Sequence, residues 1–381
     1  MRAVTWHHQQ KVSVDDHPDP QIQEPTDAVI RVTATGLCGS DLHLFGKGAS
    51  MAMLPGDILG HEAMGVVEEV GSQVTHIKAG DTVVVPFNIS CGHCFLCTRG
   101  YQSQCETTQN LKGRKGAALF GYTHMYGGVP GGQATLLRVP QAQYGPIKVD
   151  DGVPELAAML LSDVLPTAWQ AVTYGDVGER TGTVAVYGLG PIGQMCVRIA
   201  KHKGAERVIA VDNVPDRLEE ASRWGAETVD DDEHKDPAAV IEEMTGGRGA
   251  DVVIDAVGME AHGSTADRVL QTLKLQPDRL IAFHHALASV RRGGNVSVTG
   301  VYTGMMQMFP LGDLFDKQVT LRWGQANVKR WIDELMPLLA DGDVLGAGEL
   351  VTQQVPLEDA PEWYEKFQQK DPGVRKVVFR P

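Results

Sequence analysis

Residues 182–212 read GTVAVYGLGPIGQMCVRIAKHKGAERVIAVD, and this stretch limits the choice of fold more than any other. A short β-branched run ends in glycine, a segment with helical spacing follows, and a second apolar run closes on Asp212. The pattern is strand, crossover helix, parallel strand, the unit from which doubly wound α/β sheets grow. Gly188, Gly190 and Gly193 stand at the turn in G-x-G-x-x-G spacing, with Pro191 and Ile192 opening the helix between them. With 43 glycines in the chain the spacing alone says little. A strand before it, a helix after it and an acid about 20 residues on make it a dinucleotide fingerprint. The first glycine makes the tight turn, the second lets a pyrophosphate approach the backbone, and the third permits close helix–strand packing. Asp212 is expected to accept from the adenosine ribose hydroxyls and to repel a 2′-phosphate, favouring NAD over NADP. Arg217, a turn further on, either leans on the same ribose or is a solvated helix charge.

The alternation continues through PDRLEEASRWGAE, PAAVIEEMTGGRGADVVIDAVG and HHALASVRRGGNVSVTG. The segments KQVTLRWGQ, WIDELMPLLADGDV and RKVVFRP then finish the sheet and return to the first domain. Ahead of about Pro154 the texture differs. DAVIRVTATG, HEAMGVVEEVG, GDTVVVP and GQATLLRVP are short extended runs broken by glycine, as in a compact β-rich barrel or sandwich. A chain of 381 residues exceeds one ordinary core. The expected division is a β-rich domain over 1–160, a parallel-sheet domain over 161–320 and a C-terminal segment over 321–381. An extra stretch between Ala261 and Leu280 has no role derivable from its residues.

Thirty-four basic against 48 acidic side chains leave a net charge of -14, so the molecule repels polyanions and nucleic acid is not an expected partner. The opening MRAVTWHHQQKVSVDDHPDP carries no apolar core behind Arg2, and no apolar run approaches a bilayer span. A cytoplasmic location is therefore expected, where clustered thiols more often bind metal or do chemistry than form disulfides.

Only six cysteines are present, and four of them, Cys91, Cys94, Cys97 and Cys105, crowd into CGHCFLCTRGYQSQC. Four thiolates at such spacing reach a tetrahedral Zn²⁺ and leave it no open position, which makes the zinc structural. An iron–sulfur cluster, a redox pair and buried free thiols are the alternatives; ligand softness and compartment favour zinc. Cys196 lies at an apolar helix position and reads as an inert buried thiol. Cys38 in GLCGSDLH and His61 with Glu62 in GHE suit a second metal with an open position, but as bare residues they suit packing equally well.

The runs GLCGSDLHLF, PGDILGHEAMGVVEEVG, AGDTVVVPFNISCGHCFLCTRGYQSQC and VYGLGPIG, in this order, resemble the zinc-dependent medium-chain alcohol dehydrogenases. GGQATLLRVP followed by LLSDVLPTAWQA is similar to the glutathione-independent formaldehyde dehydrogenase and dismutase branch. The resemblance implies an α/β protein with a GroES-like β-rich catalytic domain plus a Rossmann doubly wound domain, the active site lying in the cleft between them. It implies two Zn²⁺ per chain and NAD. Cys38 and His61 match catalytic zinc ligands, and Asp163 stands where most of the family has a cysteine as the third ligand. Glu62 matches a residue behind the metal, and Asp41 the carboxylate supporting the ligand histidine. Ser40 and His43 match a proton relay, and Phe87 a wall of the substrate pocket. The implied reaction converts an alcohol to an aldehyde or ketone by hydride transfer, in a homodimer or homotetramer. A formaldehyde dehydrogenase or dismutase with resident NAD, a polyol or threonine dehydrogenase, and a non-catalytic NAD-binding scaffold are the competing readings. Gly39 departs from relatives that carry a basic residue there for the pyrophosphate.

Overall fold

The computed structural model describes residues 1–46, 52–111, 115–258, 278–302 and 309–381. The stretch of unassigned role at 261–280 falls outside the described residues except for the helical backbone from Asp278. The chain divides into two compact units, Met1–Pro166 with Ala326–Pro381, and Thr167–Gln325.

In the first unit, β1 (Arg2–His8), β2 (Lys11–Asp16), β3 (Ala28–Leu37), β4 (Asp57–Ile58), β5 (Glu62–Val70), β6 (Thr82–Val85), β7 (Leu136–Val139) and β8 (Ile147–Lys148) precede the crossing. The second unit carries β9 (Thr183–Tyr187), β10 (Arg207–Asp212), β11 (Glu227–Asp230), β12 (Ala250–Asp255), β13 (Val290–Val298) and β14 (Thr320–Trp323). After the return come β15 (Val351–Pro356) and β16 (Lys376–Arg380).

The first unit holds a small sheet in the order β2-β1-β4 and a larger one in the order β15-β16-β3-β5-β6-β8, with β7 paired to β3. Strand β3 is the long central member, antiparallel to β5, β7 and β16. One apolar cluster, with Leu37, Leu42, Phe45, Tyr364 and Phe379, packs the C-terminal helix Ala360–Gln369 against β1, β3 and β16. A second, with Ile30, Val67, Val83 and Leu137, packs along β3, β5, β6 and β7.

The second unit is a six-stranded parallel sheet in the order β11-β10-β9-β12-β13-β14, the Rossmann order. Its inner strands read as near-continuous apolar runs, TVAVY and RVIAV, because helices cover both faces. The glycine turn follows β9. Gly188 takes φ +82, and Pro191 is the first residue of the helix Pro191–His202, where a missing N–H costs nothing. A Cβ on Gly193 would overlap the Gly188 carbonyl oxygen, so the helix can approach the strand only with glycine there.

Candidate active site and metal centres

Strand β3 ends at Leu37 and delivers Cys38 to the start of the short helix Gly39–Phe45. The Asp41 side chain turns back so that Oδ2 accepts the Cys38 N–H at 3.0 Å, which frees its other oxygen to face His61 Nδ1 at 3.2 Å. His61 and Glu62 come from the start of β5, opposite the end of β3 at the Gly36–Glu62 pairing. Gly36 has no side chain for a packing reason: a Cβ there would strike the Glu62 carboxylate. Asp163 arrives from the turn Leu160–Ser162, which is pinned when Phe87 N donates to Ser162 O at 3.1 Å. Asp163 Oδ2 then stands 3.3 Å from His61 Nε2 and 3.8 Å from Cys38 Sγ.

One donor atom each from Cys38, His61, Glu62 and Asp163 lies within 4.8 Å of the others, and all four residues are buried. Burial pushes the Cys38 thiol up, and the negative charge of Glu62 pushes it further. Burial opposes charge on His61, yet the Asp41 charge and the contacts to Asp163 and Asp41 hold its pKa well above the ordinary value. The carboxylates of Asp41, Glu62 and Asp163 outnumber the His61 and Lys376 cations beside them, so the cluster favours a further positive charge. A divalent metal fits this donor set. Cys38, His61 through Nε2 and Asp163 would hold such an ion, with Asp41 beside His61 Nδ1, and the two negative ligands would balance its charge.

Glu62 is already paired. Lys376 on β16 places Nζ 2.6 Å from Glu62 Oε1, donates also to Leu37 O at 3.1 Å, and is as fully buried as Glu62. Burial works against its ammonium, but the Glu62 charge keeps its pKa above normal. Cys38, His61 and Asp163 could therefore each offer a ligand atom, while Glu62 is held by the ammonium. Sequence reasoning missed Lys376. The available signal was a lysine at the head of the apolar strand KVVFR, since a buried lysine requires a partner acid.

Phe87 lies edge-on to the His61 ring, with centroids 6.3 Å apart, and is nearly buried. Ser40 and His43 are half-buried on the Gly39–Phe45 helix, three residues apart and so on one face. A Cβ on Gly39 would meet no protein atom within 4 Å, so packing does not dictate glycine there. Tyr122 is close enough to feel the His61 charge, and burial pushes its hydroxyl up to about 12.

The four-cysteine lobe is a separate cluster. Cys91, Cys94, Cys97 and Cys105 bring their sulfurs within 4.8 Å of one another with no disulfide among them. The N–H groups of Cys91, Cys94, Cys97 and Glu106 point at Cys105, Cys91 and Cys94 sulfurs at 3.3–3.5 Å. Although burial opposes the charge, the backbone donors from Cys97 and Glu106 bring the Cys94 thiol down to about 6. Four sulfurs about 2.3 Å from one ion stand just under 4 Å apart, so the spacing fits a single tetrahedral zinc, whereas a multi-iron cluster holds its cysteines wider. Gly100 at φ +78 reverses the chain between Cys97 and Cys105. Asn327, just past the return crossing, accepts from Ser103 N and Oγ at 3.0 and 2.9 Å and ties the lobe to the unit.

In the second unit, a Cβ on Gly190 would meet nothing within 4 Å, unlike Gly188 and Gly193. Protein packing does not require that glycine, and the open space suits a pyrophosphate at the helix N-terminus. Asp212 accepts from Leu189 N at 2.6 Å and from Asn213 N and Val214 N, which fixes its carboxylate beside the turn and leaves lone pairs for further donors. Arg217 is not a solvated charge: its guanidinium is mostly buried and stands 3.7 Å from Asp212. Cys196 is fully buried and its thiol is pushed far up by burial.

Two family models match the chain, the alcohol dehydrogenase GroES-like domain over residues 24–149 and the zinc-binding dehydrogenase over residues 191–276. An uncharacterised zinc-type alcohol dehydrogenase-like protein of Bacillus subtilis, AdhB, is 41% identical over 384 residues and covers 100% of both chains. The glutathione-independent formaldehyde dehydrogenase of Pseudomonas aeruginosa is 31% identical over 407 residues, covering 100% of this chain and 97% of its own. Among solved structures, the alcohol dehydrogenase TADH from Thermus sp. ATN1 superposes with a TM-score of 0.85 at 35% identity, covering 100% of this chain and 99% of that one. No helix among the described residues is long and apolar enough to cross a membrane. With relatives alike along the full chain and a family model matching in each unit, this chain belongs to the zinc-dependent medium-chain alcohol dehydrogenases, a family of oxidoreductases.

Proposed function

We propose that this protein is an NAD-linked alcohol dehydrogenase that interconverts a small alcohol with its aldehyde or ketone. The carrying observation is the convergence of Cys38 Sγ, His61 Nε2 and Asp163 Oδ2, with Asp41 behind the imidazole. When bound, zinc there supplies Lewis-acid activation of the substrate oxygen, and the nicotinamide of the dinucleotide accepts the hydride. Cys38 and Asp163 bring two negative charges that match a divalent ion. His61 would offer Nε2 with the Asp41 carboxylate 3.2 Å from its Nδ1. Lys376 keeps Glu62 from competing as a fixed ligand, which leaves the fourth position to substrate. The alcohol proton passes to Ser40 and on to His43, an imidazole able to accept and release it. Phe87 presents an apolar edge that keeps water from the reacting carbon. Gly188, Gly190, Pro191, Ile192 and Gly193 bind the pyrophosphate, with Asp212 and Arg217 at the adenosine ribose. Zinc in the four-cysteine lobe is structural.

A second reading, a formaldehyde dehydrogenase or dismutase with resident NAD, is favoured by Asp163 in the third ligand position and by the full-length similarity to the Pseudomonas enzyme. Retention of NAD through gel filtration and turnover of aldehyde without added cofactor separate the two. The deciding experiment for both is metal content. Wild type should hold two zincs per chain, and Asp163→Ala should lose the catalytic zinc and keep the lobe zinc. Two zincs in Asp163→Ala would refute the ligand assignment.

A further inference from the structure

Behind His61 a run of buried hydrogen bonds reaches the C-terminal helix. Tyr364, on that helix, donates its hydroxyl to Gln133 Oε1 at 2.7 Å. Gln133 Nε2 donates to Gly36 O at 3.1 Å and to Asp41 Oδ2 at 3.3 Å. Asp41 Oδ1 faces His61 Nδ1 at 3.2 Å. Tyr364, Gln133 and Asp41 are all completely shielded from solvent.

The donor order has one consistent direction. Asp41 can only accept, so Gln133 must aim its NH₂ group at it and its oxygen at Tyr364. The tyrosine hydroxyl, by donating, rewards that amide orientation and penalises the flipped one, which would set the amide oxygen against the Asp41 carboxylate. Asp41 Oδ2 is thereby filled by Gln133 Nε2 and Cys38 N, and Oδ1 is left to His61. With Asp41 Oδ1 3.2 Å from Nδ1, the carboxylate charge favours the proton on Nδ1, which leaves the Nε2 lone pair on the side of Cys38 and Asp163. The backbone of Gln133 is also built into the approach to His61: its N donates to Leu59 O at 3.0 Å, and Gly132 N donates to Gly60 O at 2.8 Å. Gly60 takes φ +97 and any Cβ there would strike Gln133, so the residue before His61 is shaped around this side chain.

We propose that Gln133 and Tyr364 are positioning residues for the catalytic metal, fixing the tautomer and aim of His61 through Asp41. This rests on the reading that Cys38, His61 and Asp163 bind zinc. Neither residue touches substrate; both act through Asp41.

The test compares Tyr364→Phe with Phe45→Leu in the full-length protein, zinc-loaded and cobalt-substituted. Tyr364→Phe keeps the ring packed against Phe45, 5.3 Å away, and deletes only the donor. Phe45→Leu loosens the same packing and leaves the hydrogen bonds in place. Loss of such an outer partner typically weakens metal binding about 10–100-fold. Tyr364→Phe is accordingly expected to release one zinc per chain to a chelator about tenfold faster and to shift the cobalt d–d band of that site. The lobe metal is expected to be released at the wild-type rate. Phe45→Leu should lower the melting temperature without changing release or spectrum. Release and spectrum indistinguishable from wild type in Tyr364→Phe, or both changes reproduced by Phe45→Leu, overturn the proposal while leaving the metal site standing. Wild type that takes up cobalt at the four-cysteine lobe alone overturns the metal reading and this role with it.

Discussion

Lys376 and Glu62 form an ion pair with no solvent contact on either side chain, and replacing Lys376 with Met isolates what the pair does. The substitution preserves length and apolar volume but strips Glu62 of its counter-ion and Leu37 O of its donor. Removing one partner of a buried pair costs about 3–5 kcal/mol, because the remaining charge stays desolvated. For a unit of roughly 200 residues each kcal/mol moves the transition by about 2–4 °C, so the calorimetric transition of Lys376→Met should fall by about 6–20 °C. With Glu62→Gln added, no charge is stranded and most of the loss should return, since replacing both partners of such a pair is near neutral. Zinc loading should protect Lys376→Met more than wild type, because the freed Glu62 carboxylate, already within 4.8 Å of the other donors, gains the metal as a counter-charge. A single variant that melts with wild type, or a double variant no more stable than the single one, would refute the account of a paired, charged Glu62.

The glycine turn separates packing from binding: Gly193→Ala should destabilise the second unit in calorimetry, whereas Gly190→Ala should fold like wild type and bind NAD measurably more weakly by titration calorimetry. Asp255 is buried at the end of β12 and accepts from the Tyr302 hydroxyl at 2.8 Å; burial pushes its pKa up to about 6. Its folded value exceeds its unfolded one, so the native state binds the extra proton. The stability it contributes is fully present below about pH 4 and falls by about 3 kcal/mol as pH rises through 6. Asp255→Asn should abolish that slope in urea titrations across the window; an unchanged slope assigns it to other groups. Cys97→Ser should lower zinc content by one per chain and lower the melting temperature while the ratio of rates on different alcohols stays put, and a fully metallated, stable variant contradicts a structural lobe.

Much of the architecture was legible because its signals are local. A β-branched run, a glycine turn with Pro191 and a helix of 3.6 periodicity lie within one short stretch, where backbone geometry alone fixes who meets whom. The same holds for the lobe, whose four cysteines need only tight turns at Gly92 and Gly100 to converge. Cys38, His61 and Asp163 were harder: their types permit a metal site, but spacing does not demand one, and resemblance rather than local chemistry pointed to Asp163.

Residue types and short spacings by themselves determined a parallel α/β sheet with a nucleotide turn and a sulfur cluster, since those features arise from the order of residues a few positions apart. Tertiary structure decided the rest. Lys376 meets Glu62, and Tyr364 meets Gln133, across 314 and 231 positions of chain. No periodicity announces such pairs. They exist because β16 closes against β3 and the C-terminal helix packs over it, and a buried charge or amide is tolerable only where the finished fold supplies its partner.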